Sequence, residues 1–279
     1  MIGIFDSGLG GLTILRGVLE QLPQYDYIYL GDSARNPYGN KSQDLIYDYT
    51  RQGVEFLMKK GCRLVIIACN TASAKALRRL QQEWLPEKYP DRRILGVIIP
   101  TAEAAAEVVH QEPPRKRRKK NKIGIIGTKA TIESQTFEQE LKKIKPELDI
   151  CTQASPLLAP LAEEGWVNRA ETRKIIKYYL RPLKLKRINI LILGCTHYPV
   201  LYRPISEIMG KQCRVIDPPR PVAEKLKDYL RRHPEIEKKL QAEQNRTFYT
   251  TNDPDKFKKL GPRFLGQAIK KVYPCQIDQ

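Results

Sequence analysis

Two segments of the sequence end a short apolar run in a cysteine followed by small polar residues. They are Leu64-Val65-Ile66-Ile67-Ala68-Cys69-Asn70-Thr71 and Ile190-Leu191-Ile192-Leu193-Gly194-Cys195-Thr196-His197. A free cysteine usually behaves as a small buried hydrophobe, and that reading suits Cys62, Cys151, Cys213 and Cys275. Cys69 and Cys195 differ, because each follows its strand at the start of a helical turn, and Cys195 lies two residues before His197. A helix N-terminus and a protonated imidazole both favour the thiolate, the reactive form of the side chain. Thiols reaching one cleft from opposite sides suit removal of a proton from one face of a carbon and delivery of another to the opposite face. Asp6, in Phe5-Asp6-Ser7-Gly8-Leu9-Gly10-Gly11, is read as acid/base support for Cys69, and His197 as its counterpart beside Cys195. The hydroxyls of Ser7, Thr71 and Thr196, with helix N-terminal amides, suit a carboxylate that gains charge. The glycines fit neither G-x-G-x-x-G nor a P-loop with its Lys, so a nucleotide is disfavoured. No metal-ligand spacing and no lysine in a recognisable pyridoxal setting is present, and neither a metal nor another cofactor is expected.

Such residues need a scaffold that puts them at one edge. Short Ile/Val/Leu-rich runs at 2–5, 26–30, 64–68, 94–98, 122–126, 148–152, 189–193 and 213–216 read as buried parallel strands. Helical patterns at 11–21, 43–60, 73–84, 133–144 and 169–180, with a helix from Val222, alternate with them. The fold class is therefore α/β, with mostly parallel sheets and ligands beyond the carboxyl ends of the strands. The first half echoes the second: Ile2-Gly3-Ile4-Phe5-Asp6-Ser7 matches Ile123-Gly124-Ile125-Ile126-Gly127-Thr128, and the two cysteine segments match each other. Two echoes at similar spacing in the same order predict two pseudo-symmetric α/β domains with the active site between them. At about 150 residues per domain, 279 residues make two. The expected division is 1–97 plus 208–279 for the first domain and 98–207 for the second, with strand 213–216 packing back on the first.

Composition excludes several classes. With 41% hydrophobic residues the chain can build real cores, so disorder and fibrous structure are ruled out. No apolar run approaches the roughly 18 residues of a membrane span, and the N-terminus lacks the pattern of a signal peptide. Six cysteines without a C-x-x-C pair fit reduced thiols in the cytoplasm. The net charge is +18, from 49 Lys+Arg against 31 Asp+Glu, which raises a nucleic-acid partner. Seven of those basic residues sit in the run 115–122, after Pro113-Pro114, where a solvated loop is the simpler reading. Nucleic acid is accordingly disfavoured.

The segments Phe5–Gly11, Asp32-Ser33-Ala34-Arg35-Asn36-Pro37-Tyr38-Gly39, Ala68-Cys69-Asn70-Thr71-Ala72 and Gly194-Cys195-Thr196-His197-Tyr198-Pro199 together resemble the glutamate racemase family. Gly127-Thr128 with Thr131, and Leu158-Ala159-Pro160-Leu161-Ala162-Glu163-Glu164-Gly165, match further family segments in order, so the resemblance spans almost the whole chain. It implies a cofactor-independent isomerase that interconverts L- and D-glutamate for peptidoglycan synthesis. By position, the resemblance makes Cys69 the base for D-glutamate and Cys195 the base for L-glutamate. Asp6 and His197 assist their respective thiols, and Glu163 supports the side of Cys195. Asp6, Ser7, Tyr38, Gly39, Asn70, Thr71, Thr196 and His197 fall on substrate-binding positions. A homodimer is the family expectation. The sequence departs from the family pattern at Ile99-Pro100-Thr101, in the long basic run, and at Asp217-Pro218-Pro219, none of which touches a catalytic motif. The alternatives are a racemase for aspartate or another amino acid, which would keep the thiol pair and change the pocket for the distal carboxylate, and a basic nucleic-acid-associated binding protein.

Overall fold

The structure, a computed structural model, describes residues 1–111 and 121–277. Most of the basic run 115–122 lies outside the described residues. The strands are β1 (Ile2–Asp6), β2 (Tyr27–Gly31), β3 (Leu64–Ile67), β4 (Arg93–Gly96), β5 (Lys122–Gly127), β6 (Asp149–Ala154), β7 (Ile190–Gly194), β8 (Arg214–Ile216), β9 (Arg246–Thr250) and β10 (Tyr273–Pro274). They form two sheets, in the orders β10-β9-β2-β1-β3-β4 and β6-β5-β7-β8. Every pairing is parallel. Helices cover both faces, which explains why β3 and β7, and β1 up to its final Asp6, are apolar runs buried along their whole length.

The order β2-β1-β3-β4 is repeated as β6-β5-β7-β8. The two sequence echoes therefore mark structurally equivalent strands, β1 with β5 and β3 with β7. The same repeat corrects the expected place of strand 213–216. Ile190 pairs with Arg214 and Ile192 with Ile216, so β8 is the fourth strand of the second sheet, as β4 is of the first. The chain returns to the first half only afterwards, in the helix Pro219–Arg232, which packs on the helix Leu12–Gln21. Apolar side chains of both halves, Ile2 and Ile4 from β1 and Leu191 and Leu193 from β7, belong to one continuous core.

Two helices differ from expectation. The helix expected at 73–84 begins at Asn70, directly against β3. The pattern at 133–144 is split into Lys129–Glu133 and Thr136–Ile144. Ser134 makes the break: its hydroxyl donates to the Thr131 carbonyl at 2.6 Å and accepts from Thr136 N–H at 3.2 Å. The helix Gln43–Lys59 conforms to expectation, with Ser42 as its N-cap and buried residues at 46, 47, 50, 53, 54, 57 and 58.

Candidate active site

Four strand ends converge. β1 runs into Asp6 and the loop Ser7–Gly11, and β3 ends two residues before Cys69, which caps the helix Asn70–Lys75. β5 leads to Thr128, the N-cap of Lys129–Glu133, and β7 to Cys195-Thr196-His197. Both thiols are buried.

On the first side, Ser7 Oγ lies 3.4 Å from Cys69 Sγ. Burial, then the charge of Asp6, pushes the Cys69 thiol up to about 12, so it holds its proton at neutral pH. Asp6 is completely buried, and desolvation raises its carboxyl above the ordinary range. Its oxygens accept from Gly8 N–H at 3.0 Å and from the Thr196 hydroxyl at 3.3 Å. Ser7 is thus the residue hydrogen-bonded to Cys69, and Asp6 acts on the thiol through its charge while it spans to the opposite half.

On the second side, Cys195 Sγ is 3.8 Å from His197 Nδ1, and His197 Nε2 is 2.8 Å from Glu163 Oε1. Burial works to discharge the imidazole, but hydrogen bonds and charge from Cys195 and Glu163 prevail and raise it to about 10. The protonated ring donates from both nitrogens, to the sulfur and to the carboxylate. Burial works to raise the Glu163 carboxyl too, yet its bond to His197 carries it below the usual range. Asn36 Nδ2 also donates to Glu163 Oε1, at 3.4 Å.

Further polar groups from both halves meet at these strand ends. The hydroxyls of Thr71, Thr128 and Thr131 form a triangle with edges of 2.9, 3.2 and 2.9 Å. The Asn70 amide is buried, and neither its oxygen nor its nitrogen has a hydrogen-bond partner among the described residues. An unpartnered buried amide is costly, and a bound ligand is one way to satisfy it. Tyr38 is buried with its hydroxyl donating to Asp32 Oδ2, and Gly39 lies against the Thr128 side chain. Tyr38 therefore enters the site as a wall whose hydroxyl is already engaged. Sequence reasoning gave no role to Asp32, which also accepts from Arg35 Nε at 2.7 Å, nor to Asn36. Both stand in a motif it singled out, and the polar cluster Asp32-Ser33-Ala34-Arg35-Asn36 after β2 was the available signal.

A thiol beside a hydroxyl and a buried carboxyl, facing a thiol beside an imidazolium, is an acid and base pair for one carbon. Comparison with known proteins agrees with that chemistry. The model of the Asp/Glu/Hydantoin racemase family matches residues 9–226. A glutamate racemase of Geobacter metallireducens is 38% identical over 277 residues, covering 99% of this chain and 97% of that protein. Among solved structures, a glutamate racemase isoform from Bacillus anthracis superimposes with a TM-score of 0.87 at 33% identity, covering 99% of this chain and 97% of the other. The Francisella tularensis glutamate racemase in complex with D-glutamate does so with a TM-score of 0.85 at 33% identity and the same coverage.

Proposed function

The chain belongs to the Asp/Glu/hydantoin racemase family, and from that premise we propose that Cys69 and Cys195 interconvert L- and D-glutamate by proton transfer on opposite faces of Cα. The reaction is an amino-acid racemisation, the isomerase step that supplies D-glutamate for peptidoglycan. For L-glutamate, Cys195 takes the α-proton while the His197 imidazolium donates to its sulfur. Cys69, which burial keeps protonated, delivers a proton to the opposite face. The enzyme is then left with its charge on Cys69, the form competent for D-glutamate, and the reverse reaction retraces these steps. Ser7 and Asp6 serve the Cys69 side as hydrogen-bond partner and proton acceptor; Glu163 holds His197 for the Cys195 side. Deprotonation moves charge onto the α-carboxylate, where the Asn70 amide and the hydroxyls of Thr71 and Thr196 are placed to receive it. Tyr38 and Gly39 wall the same pocket.

The observation that carries this reading is the hydrogen-bond partnering across the two halves. Asp6 of the first accepts from Thr196 of the second, and Thr71 of the first meets Thr128 of the second, so polar groups of both halves meet at the strand ends that carry the thiols. A cytoplasmic location and a homodimer complete the proposal; no helix among the described residues is long and apolar enough to cross a membrane.

The test is the optical activity of an L-glutamate solution followed by circular dichroism after the protein is added, with L-aspartate in parallel. Decay of the glutamate signal alone is expected. Decay of aspartate alone moves the assignment to an aspartate racemase, and silence with both returns the basic binding protein.

A further inference from the structure

We propose that Arg263 is a positioning residue for the Cys195 half of the reaction, acting from the first half of the molecule on Glu163 of the second. Glu163 is the last residue of the helix Leu158–Glu163; N–H groups of the turn beyond it reach the Pro160, Leu161 and Ala162 carbonyls, and the Glu163 carbonyl takes a side-chain donor from the other half. That donor is the Arg263 guanidinium: Nη1 donates to the Glu163 carbonyl and, at 3.3 Å, also to the Ala162 carbonyl, which Gly165 N–H bonds as well. Gly165, with φ +75°, turns the chain just beyond the helix, and its missing side chain makes room for the guanidinium. A Cβ at Gly165 would stand 2.5 Å from Arg263 Cζ. The next residue along, Phe264, is fully buried and sets its ring edge-on to His197, with centroids 5.5 Å apart and planes at 82°.

One short segment, Pro262–Leu265, therefore grips both partners of the His197–Glu163 bond, one by its backbone and one by its ring. The segment follows β9 of the first sheet, whereas Glu163 and His197 flank β7 of the second. Its grip holds His197 and Glu163 from the other half of the molecule. Phe264 is buried core, and its truncation would confound position with stability. Arg263 is exposed, and its substitution leaves the core intact.

The inference rests on the two-thiol reading, and its test separates the two. The enantiomers have equal free energies, so kcat/KM must fall by the same factor in both directions, and the affected half is read from isotope effects. With α-deuterated substrates, Arg263→Ala is expected to lower kcat/KM about three- to tenfold, the loss of roughly one hydrogen bond. It should raise the substrate isotope effect with L-glutamate, where Cys195 takes the proton, and lower it with D-glutamate, where Cys195 returns one. Arg263→Lys, which keeps a donor, should recover part of the rate. Because Arg263 acts through Glu163, adding Arg263→Ala to Glu163→Gln should cost much less than it does alone. Unchanged isotope effects, or losses that multiply in the double variant, overturn the proposal while leaving the two-thiol reading in place. A Glu163→Gln enzyme with unaltered rate and isotope effects overturns Glu163's part in that reading, and this proposal with it.

Discussion

Replacing Glu163 by Gln removes one charge from the second thiol's support and leaves its shape. Glu163 Oε1 lies 2.8 Å from His197 Nε2, and that bond is among the causes that hold the imidazole near 10 against its burial. Hydrogen bonds to charged groups contribute about 1.5–3 kcal/mol, and about 1.4 kcal/mol corresponds to one pKa unit. Glu163→Gln should therefore lower the His197 pKa by about one to two units, into the range of roughly 8–9. The chain has three histidines, so imidazole NMR titration resolves them, and His197→Asn identifies the signal. Stability should follow the same groups. The raised imidazole contributes fully below its unfolded value of 6.5 and loses that contribution as pH rises toward about 10. The depressed Glu163 carboxyl contributes above its unfolded value of 4.5 and loses its part as pH falls below it. The unfolded imidazole is the same in both proteins, so the stability gap between wild type and Glu163→Gln should be widest from 4.5 up to the pH at which the variant's own imidazole loses its proton, and should shrink below 4.5 and on approach to about 10. A wild-type His197 titrating near 6.5, or one unmoved by the substitution, would refute the reasoning.

Asp6→Asn keeps the size of a buried side chain but not its charge, and its kcat should fall by about 10²–10⁴; a change within a few-fold in steady-state assays would reduce Asp6 to a loop cap. Asn70→Ala deletes an amide with no protein partner. Its melting temperature should match wild type while KM for glutamate rises about tenfold or more, and an unchanged KM would remove Asn70 from the substrate site. Gly10→Ala would drive a Cβ to 2.3 Å from Thr196 Oγ1 and 2.6 Å from His197 Nδ1, whereas Gly8→Ala meets only Asn36 at 3.5 Å. The first should lose more than about tenfold in kcat and the second little, and equal rates would show that the His197 loop is free to shift.

The strand-end chemistry was legible because small polar residues after a continuous apolar run have few other uses in a parallel sheet. The repeat was legible from two matched segments, yet its last strand was placed wrongly. Arg93 of β4 and Arg214 of β8 are 121 residues apart, the spacing that also relates Ile2 to Ile123, so the signal was present. β9, Arg246-Thr247-Phe248-Tyr249-Thr250, was missed for a physical reason: it lies toward the sheet edge and is only partly buried, so it has no uninterrupted apolar run. Glu163 was reached only by resemblance, because its use depends on a helix end meeting a histidine 34 residues on. The contacts of Asn36 and Arg263 with that residue span 127 and 100 positions and leave no local trace. Nor could the sequence say that Tyr38 would spend its hydroxyl on Asp32.

The paired thiols are tested most directly by the hydrogen at Cα when L-glutamate is racemised in D₂O. Cys69 donates from a thiol that has exchanged with solvent, so D-glutamate should carry deuterium from its first appearance. The remaining L-glutamate should stay largely protiated early on, because return from Cys195 gives back the original hydrogen. Both Cys69→Ala and Cys195→Ala should be inactive in the same assay. Early D-glutamate rich in protium, or robust racemisation by either variant, would contradict the two-thiol account and point to a single base serving both faces.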